Sequence, residues 1–161
     1  SRIRSMALIH QKLYQSESFV FVNFREYIEE LALNLFATYA GEPHPVQLTV
    51  DVGEVALGMD EAIPCGLIVN ELVSNSLKHA FPGSRHGMLT VSCHAGDNGE
   101  IELTVADTGV GLPPGFDWGN AETLGLQLVT MLVRQLGGTM AVHGEAGGTT
   151  VAIRFAGRRS A

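Results

Sequence analysis

GLIVNELVSNSLKHAFP, residues 66–82, is the stretch that decides the fold, because it reads as one amphipathic helix. Its apolar side chains recur at the spacing of a 3.6-residue helix and can be buried together. We expect the helix to begin near Asp60, where acidic side chains favour the positive end of the helix dipole, with Pro64 in the first turn. A Pro-Gly pair predicts its end near Ala80.

The polar face of this predicted helix carries a carboxylate, an amide and an ammonium group. Glu71, Asn75 and Lys78 are spaced i, i+4 and i+7, so they share one side of the helix. An amide oxygen suits hydrated Mg²⁺ on a triphosphate, the ammonium can offset phosphate charge, and the carboxylate can orient or deprotonate a hydroxyl group or water. An ordinary solvated polar stripe explains the same spacing, so this face alone leaves both interpretations open.

The rest of the chain alternates between helical and strand periodicity. A helix is predicted around Phe24–Phe36 and another over about Glu122–Leu136, where a Gly-Gly pair ends it. Strands with alternating apolar side chains are predicted over 46–50, 89–93, 101–105, 140–143 and 149–155. This order predicts an α+β fold, a two-layer α/β sandwich whose mixed, mainly antiparallel sheet carries helices on one face.

Composition limits the classes of function. The 161 residues carry a formal net charge of −7 and no long Lys/Arg cluster, which argues against binding to nucleic acid or to an anionic membrane. No apolar run reaches the roughly 20 residues that a membrane span needs. Cys65 and Cys93 lack metal-ligand spacing and are too few for a disulfide framework, which favours a reducing, cytoplasmic setting.

Three further segments are candidates for ligand contacts. Asp107-Thr108-Gly109-Val110-Gly111 follows a strand, where a carboxylate can accept a hydrogen bond from the exocyclic amine of adenine and glycines allow close approach. The stretch 123–128 opens a helix after a flexible loop and could seat a phosphate. Gly147-Gly148-Thr149 lies between two strands. Each segment also has a purely conformational explanation, as a strand-to-loop turn, a helix start or a hairpin.

Taken together and in this order, the four segments resemble the N, G1, G2 and G3 boxes of the GHKL ATPases, which share the Bergerat ATP-binding fold. The runs 66–82 and 124–129 are similar to sensor histidine kinases of the HWE-like group. The resemblance covers about Asp60 to Phe155. It departs from orthodox histidine kinases in two respects: the loop Leu112–Thr123 is short and has no true F box, and the first glycine of the G2 box is missing.

The resemblance implies a role for each matching residue. Asn75 would coordinate Mg²⁺, Asp107 would bind the adenine amine of ATP, and Leu112–Thr123 would close over the nucleotide as a lid. Glu71 would assist phosphoryl transfer, and Lys78, on the same predicted helix face, is the second catalytic candidate because it can offset phosphate charge. The other expected nucleotide-binding residues are Gly109, Gly111, Thr123, Leu124, Gly125, Leu126 and Thr149. His79, at the end of the predicted helix, is a further candidate for phosphate contact, and a favourable charge at the helix C-terminus explains its position equally well.

The resemblance also implies a domain organisation. Residues 1–15 would be the end of a truncated helical dimerisation and phosphotransfer hairpin, and residues 16–161 the ATP-binding catalytic domain. His10 lies in this first part, but the sequence around it does not match a phosphoacceptor, so the acceptor histidine would lie further upstream. The expected partners are ATP, the chain's own phosphoacceptor segment, a response regulator and a second subunit in the full-length homodimer.

Two alternative functions remain. An anti-sigma-factor-like serine kinase has the same fold, although the helical lead before residue 15 is not needed in such a regulator. A degenerate module that mediates only dimer contacts would have lost ATP use, but Glu71, Asn75 and Asp107 are all present.

Overall fold

A computed structural model of the chain describes residues 2–4, 7, 22–39, 46–83, 85–112, 124–145 and 147–157. Its helices are α1 (Phe24–Tyr39), α2 (Met59–Asn75) and α3 (Leu124–Gln135), and a π-helical turn, Ser76–Ala80, continues α2. Its strands are β1 (Val22–Asn23), β2 (Val46–Val52), β3 (Ala56–Leu57), β4 (Gly87–Ala95), β5 (Glu100–Asp107), β6 (Thr139–Glu145) and β7 (Gly148–Ala156). Residues 2–4 and Ala7 are also helical.

Five strands form the main sheet, in the spatial order β2-β4-β5-β7-β6. β2 runs parallel to β4, because α2 provides the crossover between them, and the other three pairs are antiparallel. The register brings Asp107 at the end of β5 opposite Thr149 near the start of β7. The prediction of a mixed, mainly antiparallel α+β fold is therefore confirmed.

The core lies between one face of this sheet and the helices. Alternate residues of β4 and β5 are buried, including Leu89, Val91, Leu103 and Val105, as expected for strands with one solvated face. The helices contribute buried residues such as Phe24, Tyr27, Ile28, Ile68, Val69 and Val129. α2 packs against both α1 and α3. Its polar residues near Asn75 therefore reach a gap between the sheet and α3.

Two local features differ from the sequence-based expectation. β1 and β3 pair as a separate two-stranded ribbon, which periodicity could not predict because each strand has only two residues. The helix expected to continue to Ala80 changes from α to π geometry after Asn75. π-helical turns are rare and concentrate at functional sites, and this one lies where the cavity described below opens.

Candidate functional site

The carboxylate of Asp107 is buried and held by three hydrogen bonds. Its Oδ1 accepts from the backbone N–H groups of Gly109, at 3.0 Å, and Thr149, at 3.3 Å. Its Oδ2 accepts from the hydroxyl group of Ser76, at 2.9 Å. The strand end, the following loop, β7 and the π turn therefore all fix the orientation of this side chain.

A cavity of about 400 Å³ opens beside this carboxylate. Six of the residues singled out from the sequence line it: Asn75, His79, Asp107, Gly111, Leu126 and Thr149. Most of the remaining lining is apolar, including Leu72, Val105, Val110 and Val151. A largely apolar pocket of this size with a few fixed polar groups is typical of small-molecule sites.

The other predicted site residues do not line this cavity. Glu71, Lys78, Gly109, Leu124 and Gly125 are absent from its wall, and Thr123 lies outside the described residues. The residues of α2 and the π turn that line it are Leu72, Asn75, Ser76, His79 and Ala80. This face is centred about 100° further round the helix than the stripe of Glu71, Asn75 and Lys78. The two faces overlap only at Asn75.

Glu71 lies instead at a junction of three helical segments. The Nε atom of Arg2 lies 2.6 Å from Glu71 Oε1, while a Cβ added at Gly125, at the start of α3, would collide with Glu71 Oε2. The Arg2 Nε atom is buried without an aligned hydrogen bond, so its contact with Glu71 is described as an ion pair. Arg4 adds a 3.3 Å hydrogen bond from Nη1 to Thr38 Oγ1 on α1.

Two glycines allow the backbone to close around the site. A Cβ at Gly109 would collide with the carbonyl oxygen of Ala80, which already accepts a 2.9 Å hydrogen bond from the N–H of Val110. A Cβ at Gly148, whose φ is +134°, would collide with the carbonyl oxygen of Asp107. The loop after β5 is thus tied to the end of the π turn, and β7 to the end of β5.

Within the described residues no group of three or more His, Cys, Asp or Glu side chains could bind a metal ion. A cation in this cavity would therefore need other oxygen ligands, such as a side-chain amide or the oxygen atoms of a bound ligand. The two free cysteines lie in the core, and burial raises the pKa of both thiols. Neither thiol is a nucleophile or a metal ligand at neutral pH.

Sequence reasoning missed the apolar lining and two polar residues: Ser76, which lines the cavity, and Arg2, which contacts Glu71 outside it. The hydroxyl group next to Asn75 was a usable signal, because an adjacent position on a helix lies only about 100° away and can share a cavity. The position of Arg2 carried no signal, since its contact with Glu71 depends on how the first residues dock on α1 and α2.

Comparison with known sequences identifies this arrangement. Residues 60–159 match the sequence model of the histidine kinase-, DNA gyrase B- and HSP90-like ATPases. The chain belongs to this ATPase family. Residues 1–39 match a second model, described as histidine kinase. The chain thus contains a histidine kinase-type ATPase domain, and the family resemblance inferred from the four boxes is confirmed.

The related proteins are sensor histidine kinases. The sensor histidine kinase PdtaS of Mycolicibacterium smegmatis is 32% identical over 164 residues, which cover 99% of this chain and 32% of PdtaS. Blue-light-activated histidine kinase 2 of Erythrobacter litoralis is 32% identical over 67% of this chain and 31% of its own length. The chain therefore spans about a third of the length of these relatives.

Solved structures share the fold of this ATPase domain. The histidine kinase domain of the blue-light-activated kinase EL346 from Erythrobacter litoralis superposes with a TM-score of 0.87 at 25% identity, over 96% of this chain and 72% of that one. Full-length ShkA in complex with AMPPNP superposes with a TM-score of 0.59 at 22% identity, over 83% of this chain and 31% of that one. No helix among the described residues is long and apolar enough to cross a membrane.

Proposed function

We propose that this ATPase domain binds Mg·ATP in the cavity between the π turn and β5 and transfers the γ-phosphoryl group to a histidine on an upstream segment. The observation that carries the proposal is that Asn75 and Asp107, which lie 32 positions apart in the sequence, line the same cavity. One supplies a neutral oxygen for a cation, and the other a carboxylate for a base. This pairing suits a purine nucleotide with a metal on its phosphates.

The base-binding end of the cavity is Asp107. Its carboxylate is already oriented by hydrogen bonds from Gly109 and Thr149, so it loses little freedom when a ligand binds. Apolar side chains beside it, including Val105 and Val151, offer flat contacts to a purine ring. An acceptor among apolar walls selects a base that presents an amine, as adenine does.

The proposed phosphate end of the cavity is formed by Asn75 and His79, and Leu126 of α3 also lines the cavity. Mg²⁺ is held by few protein ligands and by phosphate and water oxygens, so one amide is a sufficient protein contribution. When bound, Mg²⁺ would offset negative charge on the phosphates. Asn75 would hold it, and the N–H groups at the start of α3, which include Leu124 and Gly125, would favour phosphate oxygens.

Glu71 and Lys78 are proposed to act on the transferred group from the edge of this site. Glu71 lies near the start of α3, beside the predicted phosphate seat, although it does not line the cavity. A carboxylate there can accept the proton of the attacking group once its pairing with Arg2 is relaxed. Lys78 is exposed beside His79 and would contribute positive charge.

The proposed partners follow from the relatives. The named sensor histidine kinases support a role in two-component signalling, with a homodimer and an aspartate-bearing response regulator as partners. We propose that residues 1–15 belong to a dimerisation hairpin, with His10 in a structural role. His10 and most of this range lie outside the described residues. A cytoplasmic location would supply ATP and keep Cys65 and Cys93 reduced.

The decisive experiment is titration of this chain with Mg·ATP, comparing wild type with Asp107→Asn. The amide keeps an oxygen for Gly109 and Thr149 but replaces the other acceptor with a donor, which faces the adenine amine. We expect affinity to fall roughly ten- to a hundredfold, the effect of losing a hydrogen bond to a charged group. Asp97→Asn, at an exposed turn, is the matched control and should bind as wild type does. Equal affinities for Asp107→Asn and wild type would refute the assignment.

A second experiment addresses the phosphoryl acceptor. A longer version of the protein that includes the upstream segment would be incubated with labelled ATP, and the labelled product treated with acid. Phosphohistidine is lost in acid and phosphoserine survives. We expect an acid-labile product; an acid-stable one would favour the serine kinase alternative.

A further inference from the structure

The geometry of the base-binding end points to a further specificity-determining residue, and the inference rests on the proposed function. We propose that Ser76 selects a 6-amino purine: it locks the Asp107 carboxylate in place and presents its own oxygen as a second acceptor beside it. The N–H groups of Gly109 and Thr149 already orient Oδ1 of this carboxylate, and Ser76 adds the hydrogen bond to Oδ2 together with an acceptor of its own. Asn75 precedes Ser76 directly, so one turn of helix would serve both the metal and the base.

The first step concerns which atoms of Asp107 remain for a ligand. A carboxylate offers roughly four lone-pair directions. The N–H groups of Gly109 and Thr149 occupy two on Oδ1, and the Ser76 hydroxyl group occupies one on Oδ2. One acceptor direction on Oδ2 is left, and it belongs to a residue that lines the cavity.

The second step concerns whether the Ser76 hydroxyl group can donate a hydrogen bond to a ligand in the cavity or accept one from it. A serine hydroxyl group has one hydrogen to donate, and here it is directed at Asp107 Oδ2 at 2.9 Å. Ser76 also lines the cavity, so its oxygen can only accept from a ligand there. Two acceptors, Oδ2 and Oγ, therefore stand side by side at the base-binding end.

The third step compares this pair with the edges of purines. An exocyclic 6-amine has two hydrogens and can satisfy acceptors, whereas a 6-oxo group would place its lone pairs against them. Leaving buried acceptors unpaired is costly, which makes such a site discriminate strongly. Ser76 should thus affect recognition of the 6-position and leave the sugar and phosphates untouched.

The fourth step concerns why Ser76 can hold this position. It is the first residue of the π turn, and its N–H bonds to the carbonyl groups of both Leu72 and Val73. The turn is fixed at its other end by the 2.9 Å hydrogen bond from Val110 N–H to Ala80 O. The hydroxyl group is therefore placed by backbone that is tied at both ends.

The test compares Ser76→Ala with wild type against three Mg²⁺-bound nucleotides: ATP, inosine triphosphate with a 6-oxo group, and purine riboside triphosphate with no 6-substituent. We expect the variant to bind ATP about five- to tenfold more weakly, the effect of one hydrogen bond. The affinity of the variant for purine riboside triphosphate should stay within about twofold of the wild-type affinity. Its preference for ATP over inosine triphosphate should be smaller than that of wild type. Ser76→Thr, which keeps the hydroxyl group, should restore the preference.

The controls separate this role from a structural one. Ser92→Ala removes a hydroxyl group on the outer face of β4 and should leave all three affinities unchanged. Should Ser76→Ala fail to fold, Ser76→Cys keeps the side-chain volume with a weak donor and should show the same pattern. Equal losses for ATP and purine riboside triphosphate, or no loss for ATP, would overturn the proposal. Lack of saturable ATP binding by wild type would instead overturn the proposed function, and the inference with it.

Discussion

Arg2 and Glu71 form an ion pair, with 2.6 Å between Nε and Oε1, that joins the start of the chain to the end of α2. The Glu71 side chain is 12% exposed and the Arg2 side chain 42%. A carboxylate buried to this degree is costly without a positive partner. The contact therefore links the position of the first helical residues to the group proposed to act on the phosphoryl acceptor.

We predict measurable coupling across this pair. In a double-mutant cycle of Arg2→Ala and Glu71→Gln, the coupling free energy of unfolding should be about 1 kcal/mol, because burial of Glu71 limits solvent screening. Urea unfolding of the four proteins measures it. A matched pair is available in Arg154 and Glu102, also 2.6 Å apart but 61% and 45% exposed. Its coupling should fall below about 0.5 kcal/mol, and equal coupling in both cycles would contradict the argument.

A second prediction concerns the backbone contact behind the cavity. Gly109→Ala places a methyl group against the carbonyl oxygen of Ala80, so the loop after β5 must move away from the π turn. We expect a loss of about 1–3 kcal/mol in the free energy of unfolding together with weaker ATP binding, since Asp107 Oδ1 loses its aligned partner. Gly147→Ala meets nothing within 4 Å and should stay within about 0.5 kcal/mol of wild type.

How much of this structure the sequence predicts depends on how far apart along the chain the interacting residues lie. Alternation in β4, β5 and β7 fixes one buried face for each strand, so the sheet and its helices follow from local pattern. The two-residue strands of the ribbon are too short to carry a pattern. Helical spacing places Glu71 and Asn75 one turn apart on the same side of α2. It does not show which side of the helix faces a cavity, because that depends on how α2 packs against the rest of the fold.

The candidate site likewise contains residues that local pattern predicts and residues whose contacts depend on tertiary packing. The sequence marks the segments of Asp107 and Thr149 by a strand end and by glycines, and the register of β5 with β7 brings these two residues together. Ser76 was missed because its partner lies 31 residues away. The expected lid, residues 112–123, has only Leu112 among the described residues, so its role stays a prediction.

A third prediction isolates the metal contribution of Asn75. Asn75→Ala should weaken ATP binding in the presence of Mg²⁺ by roughly ten- to a hundredfold, a typical effect of disturbing a metal site. In EDTA, where no divalent cation bridges the protein and the phosphates, wild type and variant should bind ATP equally. Calorimetric titration under both conditions measures the difference. The exposed Asn34 of α1 provides the control Asn34→Ala, which should bind ATP as wild type does under both conditions. If Asn75→Ala lost the same ATP affinity with and without Mg²⁺, a metal role for Asn75 would be excluded.

The last prediction concerns alkaline pH and the buried thiol of Cys93 in β4. Burial raises the pKa of this thiol from 9.0 to about 12. Between these values the unfolded chain has lost the proton and the folded chain keeps it, so the free energy of unfolding falls as pH rises. This group's contribution is fully present below pH 9 and is lost progressively towards pH 12. One group can account for at most about 1.4 kcal/mol per pH unit.

Cys93→Ala removes the titrating group and should flatten the decline in unfolding free energy between pH 9 and 10.5, even though the smaller side chain lowers stability at every pH. Urea midpoints at several pH values measure the slope. Cys65, whose pKa is raised by burial first and then by Cys93 and Glu61, adds a decline of the same sign, so the slope should decrease but not vanish. An unchanged slope in Cys93→Ala would show that other groups dominate the alkaline transition.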